Sequence, residues 1–150
     1  MKYEIRTLTI DDYEEVYSLW ESIHGFAMRT LDDSREGIKK FLQRNPGLSI
    51  VAVCEGLIVG SILVGNDGRH GSFYHVCVKE EYRKQGIGKA MVTEAMIRLN
   101  KEGINKIQLV AFKGNEIGNA FWHEECWNER KDYNTYDFVL NVENIVKFNS

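Results

Sequence analysis

Between Val76 and Ala90 the chain passes from an alternating apolar run, through a charged turn, into Arg-x-x-Gly-x-Gly at the head of a long amphipathic segment. The run is Val76-Cys77-Val78, the turn Lys79-Glu80-Glu81-Tyr82, and the glycine segment Arg83-Lys84-Gln85-Gly86-Ile87-Gly88-Lys89. Such an order predicts a strand, a tight turn and a helix. The glycines let the backbone bend sharply and approach a ligand with no Cβ in the way. The helix start offers unpaired N–H groups and the positive end of the helix dipole, and both favour an anion. Arg83, Lys84 and Lys89 add fixed positive charge beside those donors. The segment therefore reads as a cradle for a pyrophosphate. It is neither a Walker A loop, which needs Gly-Lys-Ser/Thr, nor a dinucleotide fingerprint, which needs a third glycine inside the helix.

The remaining elements follow from periodicity and caps. Tyr3–Leu8 alternates as a first strand, and Thr9 with Asp12 opens a helix whose apolar face is Tyr13, Val16, Tyr17, Trp20 and Ile23. Asp33 with Glu36 starts a second helix, which stops before Pro46. Ser49–Cys54 and Leu57–Val64 form a hairpin about Glu55-Gly56, and Asn66-Asp67-Gly68 turns into the strand Ser72–Val78. Met91, Val92, Ala95, Met96 and Leu99 line one side of the helix that ends near Gly103. A strand over Lys106–Phe112, a helix over Glu116–Glu125 and two strands near Arg130–Tyr133 and Tyr136–Val142 complete the chain. The order is β-α-α-β-β-β-α-β-α-β-β, an α/β or α+β fold with a mixed sheet of about seven strands and four helices.

At 150 residues, 43% of them hydrophobic, the chain is one domain (1–150) with enough apolar side chains for a real core. A net charge of −3 supplies no basic field for nucleic acid. No apolar run approaches the roughly 20 residues of a membrane span, and the first residues do not read as a signal peptide. The three cysteines (Cys54, Cys77 and Cys126) are scattered. They form neither a disulfide framework nor a metal site, and they fit a reducing cytoplasm.

The segment from Val76 to Ala90 resembles the acetyl-CoA signature of the GNAT superfamily of N-acetyltransferases. A second stretch, Asn115 to Trp127, is similar to the family's downstream pattern N-x4-A-x-Y-x3-G-F/Y, and the element order matches along essentially the whole chain. The resemblance implies that the Val76-Cys77-Val78 main chain holds the pantetheine arm of acetyl-CoA by strand addition. The pyrophosphate then sits on the N–H groups of Gln85, Gly86, Ile87, Gly88 and Lys89. It also implies that Asn115 reaches the pantetheine, although Asn115 serves equally as an N-cap, and that Ala120 permits close helix approach.

Three positions depart from the family pattern. Trp122 stands where many members carry a tyrosine that protonates the departing thiolate, and Cys126-Trp127 replace the usual glycine–aromatic pair. An indole N–H donates a hydrogen bond but is no acid at neutral pH. The proton donor is therefore left open among Tyr133, Tyr136, His123, a water, or none. Tyr74 and Ser72 occupy positions that line the cleft in some members. Strand alternation puts His75 on the face opposite Tyr74, Val76 and Val78, as a structural residue. Trp20 and His24 lie in the region that forms the acceptor side.

The expectation is direct acetyl transfer to a small or peptide amine in a ternary complex. The alternative is an acyl-CoA-binding sensor of the same fold. Dimerisation is common in the superfamily, and the aromatic run Tyr133–Phe138 offers it a surface.

Overall fold

Alternating apolar residues build the centre of the molecule. The structure is a computed structural model and describes residues 2–150. Its strands are β1 (Glu4–Thr7), β2 (Ala27–Arg29), β3 (Ile50–Cys54), β4 (Leu57–Asn66), β5 (His70–Val78), β6 (Lys106–Gln108) and β7 (Val146–Phe148). The helices are α1 (Tyr13–Glu21), α2 (Arg35–Arg44), α3 (Ile87–Lys101) and α4 (Glu116–Glu124). Five strands form a mixed sheet in the order β1-β3-β4-β5-β6, antiparallel except for the β5–β6 pair. The remaining two, β2 and β7, form a separate antiparallel ribbon.

The sheet is covered on both faces. On one, Ile50, Ala52 and Cys54 of β3 meet Met91, Val92, Ala95 and Leu99 of α3. On the other, Val51 and Leu63 meet Val16, Leu19 and Trp20 of α1 and Ile38 of α2. The central strand β4 is buried from Ile58 to Gly65 because it has a layer above and a layer below. Each fully buried aliphatic side chain contributes ~1.5–3 kcal/mol by leaving water. Arg6 grips Asp12 through two 2.9 Å bonds, which hold the Asp12 carboxyl below the usual carboxylate range. Asp12 also accepts from the Thr9 N–H at 2.9 Å, fixing the entry to α1.

Among the described residues there are seven strands, but not all where alternation put them. Residues 130–133 and 136–142 take no strand partner, while the terminal strand β7 lies further on and pairs with β2. β6 spans three residues of the expected Lys106–Phe112, because the chain leaves β5 after Gln108. Ser34, not Asp33, caps α2, accepting from Gly37 N–H at 3.0 Å. Asp33 turns into the protein instead. Among the described residues, no helix is long and apolar enough to cross a membrane.

Candidate active site

The parting of β5 from the segment after β6 makes the site. The two strands pair only from His70 to Ser72 against Lys106 to Gln108. From Phe73 to Val78, β5 therefore has one edge without a partner strand, with Val76, Cys77 and Val78 at its far end. A bulge accompanies the parting. Ser61 faces Cys77 and Leu63 faces Tyr74, so His75 and Val76 together oppose Ile62, with His75 in the left-handed region at φ +49°.

The bulge corrects the expected facing of this strand. Val76 and Val78 pack toward α3, as does Phe73. Tyr74, more than half exposed, stacks edge-on against Phe41 of α2, and His75 packs against Trp20 of α1. Tyr74 and His75 thus share one face, opposite Val76 and Val78. Two successive residues on one side are what an inserted residue in an alternating strand produces.

At the end of the open edge stands the start of α3. Gly86 caps it in the left-handed conformation at φ +83°, which removes any side-chain cap, and the first turn carries no acidic residue. The first intrahelical bond there is Ala90 N–H to Gly86 C=O, leaving the N–H groups of Ile87, Gly88 and Lys89 free for an anion. Lys84, also left-handed at φ +61°, and Gln85 are exposed beside them. Arg83 has a further task, since its Nε donates to Val78 C=O at 2.9 Å and ties the turn to the strand end. A Cβ on Gly86 would meet no atom within 4 Å, whereas one on Gly88 would lie 3.2 Å from the Phe121 ring. The small residue at the α3–α4 approach is thus Gly88. Ala120 is exposed and does not perform that role.

Asn115 caps α4, accepting from Gly118 N–H at 3.0 Å through Oδ1, and its amide nitrogen is left available. Trp122 lies in an aromatic cluster with Phe73, Phe121 and Trp127, at ring separations of 6.4, 4.9 and 4.7 Å. Cys77 is buried and its thiol is pushed up to about 11 by burial, so it is a neutral packing group and not a nucleophile near neutral pH.

Of the two residues expected on the acceptor side, Trp20 is fully buried and donates to Ser61 Oγ at 2.9 Å. It underlies the site and offers no surface to a substrate. His24 is exposed, with Nδ1 2.9 Å from the Ser150 carbonyl oxygen. The β2–β7 ribbon frames this side and sets Phe148 against Phe112, at 5.4 Å, where the chain has left β5. Sequence reasoning missed the ribbon, whose three-residue strands carry no periodicity. It also missed Asp33, whose side chain bonds His75 at 2.6 Å. Of the other groups considered as proton donors, His123 pairs with Glu129 at the surface and Tyr133 lies under the Arg130 guanidinium. A cavity of about 750 Å³ lies elsewhere, between the C-terminal half of α3, β6 and the end of α4, and none of the candidate residues lines it.

Known proteins resemble this chain in sequence and in fold. Residues 5–126 match the Acetyltransferase (GNAT) family. An acetyltransferase of Yersinia pestis (strain Pestoides F) is 33% identical over 137 residues, which covers 91% of this chain and 92% of that one. Another, from Sodalis glossinidius, is 34% identical over 137 residues and 91% of each chain. A PaiA N-acetyltransferase from Thermoplasma acidophilum, solved in complex with coenzyme A, has the same fold, with a TM-score of 0.73 at 21% identity over 83% of this chain and 89% of that one. By the match over residues 5–126 and the likeness to full-length relatives, the chain belongs to the acetyltransferase (GNAT) family.

Proposed function

We propose that this protein transfers an acetyl group from acetyl-CoA directly to a primary amine, in a ternary complex with no acyl-enzyme. The observation that carries the reading is the junction of two unsatisfied backbone surfaces: the open edge of β5 ends where the uncapped first turn of α3 begins. The edge suits an amide-bearing pantetheine arm, which pairs with a strand as another strand would. The free N–H groups of residues 87–89, with Lys84, Lys89 and the helix dipole, suit the pyrophosphate. The Val76 N–H is assigned to the carbonyl oxygen of the thioester, where negative charge develops as the amine attacks. The neutral, buried Cys77 supports attack by the amine itself over acyl transfer through a thiolate.

The acceptor is a small-molecule or peptide amine entering from the side of His24, Tyr74 and the β2–β7 ribbon. A second reading, an acyl-CoA sensor with little turnover, draws on Trp122, whose indole packs among three aromatic rings and supplies no acid. Two measurements separate the readings. Acetyl-CoA and CoA should raise the melting temperature by linkage, and free CoA should accumulate with at least one member of an amine panel. Binding without turnover leaves the sensor. Absence of a thermal shift at millimolar acetyl-CoA removes both.

A further inference from the structure

His75 sits beside the proposed oxyanion donor and is held from four directions. Its carbonyl accepts from Ser61 Oγ at 2.8 Å, and that hydroxyl in turn accepts from Trp20 Nε1 at 2.9 Å. The imidazole packs against the rings of Trp20 and Phe26, at 4.6 and 4.8 Å. Its Nε2 lies 2.6 Å from Asp33 Oδ1. Asp33 is itself fixed: Oδ2 accepts from Arg29 N–H at 2.6 Å, its carbonyl accepts from the Tyr13 hydroxyl at 2.7 Å, and it is 5% exposed.

This arrangement determines the tautomer. A carboxylate only accepts, so Nε2 carries the hydrogen, and whenever the ring is neutral Nδ1 holds the lone pair. Nδ1 enters none of the hydrogen bonds that hold the ring. The His75 side chain keeps 11% of its surface exposed, and among the described residues no buried side-chain nitrogen or oxygen lacks a partner, so Nδ1 is not sealed from solvent. A histidine that merely tethered β5 to the turn before α2 would need neither a left-handed bulge nor an open nitrogen.

We infer that His75 is the general base of the transfer and Asp33 the residue that positions it, an inference that rests on the acetyltransferase reading above. As the amine nitrogen bonds to the thioester carbonyl carbon, the C–S bond breaks and its electron pair leaves on sulfur. The amine proton passes to His75 Nδ1 and then to the departing sulfur, giving amide and CoA thiol. Asp33 faces the positive charge the ring carries meanwhile, in the manner of the carboxylate in an acid–histidine pair. The ionisable groups around the ring are Asp33, the Tyr13 hydroxyl on the Asp33 carbonyl, the exposed Arg29 that follows Met28 in β2, and Cys77, 3.6 Å from the Ser61 hydroxyl.

The test compares parent, His75→Asn, His75→Gly and Asp33→Asn, using an amine that the parent acetylates. Asparagine and glycine both tolerate the left-handed backbone. His75→Asn should lower kcat at neutral pH by at least ~10²-fold while CoA affinity holds within about threefold. The deficit should shrink as pH rises and the amine loses its proton unaided. Imidazole in solution should restore part of the rate to His75→Gly, in proportion to its concentration, and Asp33→Asn should fall between parent and His75→Asn. A His75→Asn rate and pH profile that overlie the parent's would overturn the assignment. So would a loss matched by equal losses of CoA binding and melting temperature, with no rescue by imidazole. A parent that acetylates no amine defeats the reading above, whereas an active parent with undiminished variants defeats only this one.

Discussion

Cys77 shows how a single residue can be legible in one respect and hidden in another. The sequence places it on the strand before the glycine turn, and there it stands, but its side chain points away from α3 into the layer of Trp20 and Leu63. Burial pushes its thiol up to about 11 from 9.0. The unfolded chain therefore ionises this thiol first as pH rises. Its stabilising contribution is complete below the unfolded value and is lost as pH climbs toward the folded one. Between about pH 8 and 10.5 the parent should lose about 2 kcal/mol more unfolding free energy than Cys77→Ala. Denaturant titrations at the two pH values measure this, and parallel losses in both proteins would mean the thiol is not buried as described. Asp33 was hidden more completely. Its spacing from Glu36 mimics a capping box, but a carboxylate can satisfy a helix end or a buried imidazole, and the neighbouring Ser34 leaves it free for the second task.

At the scale of elements, the strand–turn–helix from Val76 to Lys101 was readable because each of its parts has its own local cause: alternation, a glycine, then helical spacing. What alternation does not record is a bulge, since an inserted residue leaves the composition unchanged while turning the preceding side chains to the other face. Tyr74 was misfaced for that reason. The two glycines were also read alike, and they differ. Gly88 makes room for Phe121, while Gly86 leaves open space at the uncapped helix start. Gly86→Ala should cost about 1–2 kcal/mol of stability from its left-handed backbone. It should also weaken CoA binding by at least ~10-fold, more steeply at low salt, because the new Cβ occupies the space an anion needs. Calorimetric titration of CoA into both proteins, with melting temperatures as the folding control, checks this. Unchanged affinity in a destabilised variant would make the glycine a turn residue only.

For the whole molecule, the fold was legible from the order of its elements, while the path of the last 25 residues was not. Alternation over Tyr136–Val142 predicted a strand, and the segment is instead exposed along its whole length. Tyr136, Phe138, Leu140 and Val142 are 88, 87, 94 and 82% exposed, whereas the intervening positions carry Asp137, Val139 and Asn141. Four large apolar side chains at alternate positions, with exposed Val139 between them and no strand partner among the described residues, are a surface that associates with another copy unless something blocks it. Asp137 is the one charged residue within the row, and between Lys131 and Lys147 the chain carries no lysine, arginine or proline. The outcome to test at this scale is a homodimer joined through residues 136–142 of each copy, with this apolar row at the centre of the contact. Light scattering on the eluting protein should give twice the chain mass at concentrations of about 100 μM. Phe138→Lys with Leu140→Lys should give the single-chain mass, because each buried lysine would have to leave water without a partner charge. Both positions lie outside the two core clusters, so the variant's melting temperature at high dilution should match the parent's. A parent that elutes as a single chain throughout that range ends the proposal, and the exposed row would then have to be explained by a different partner.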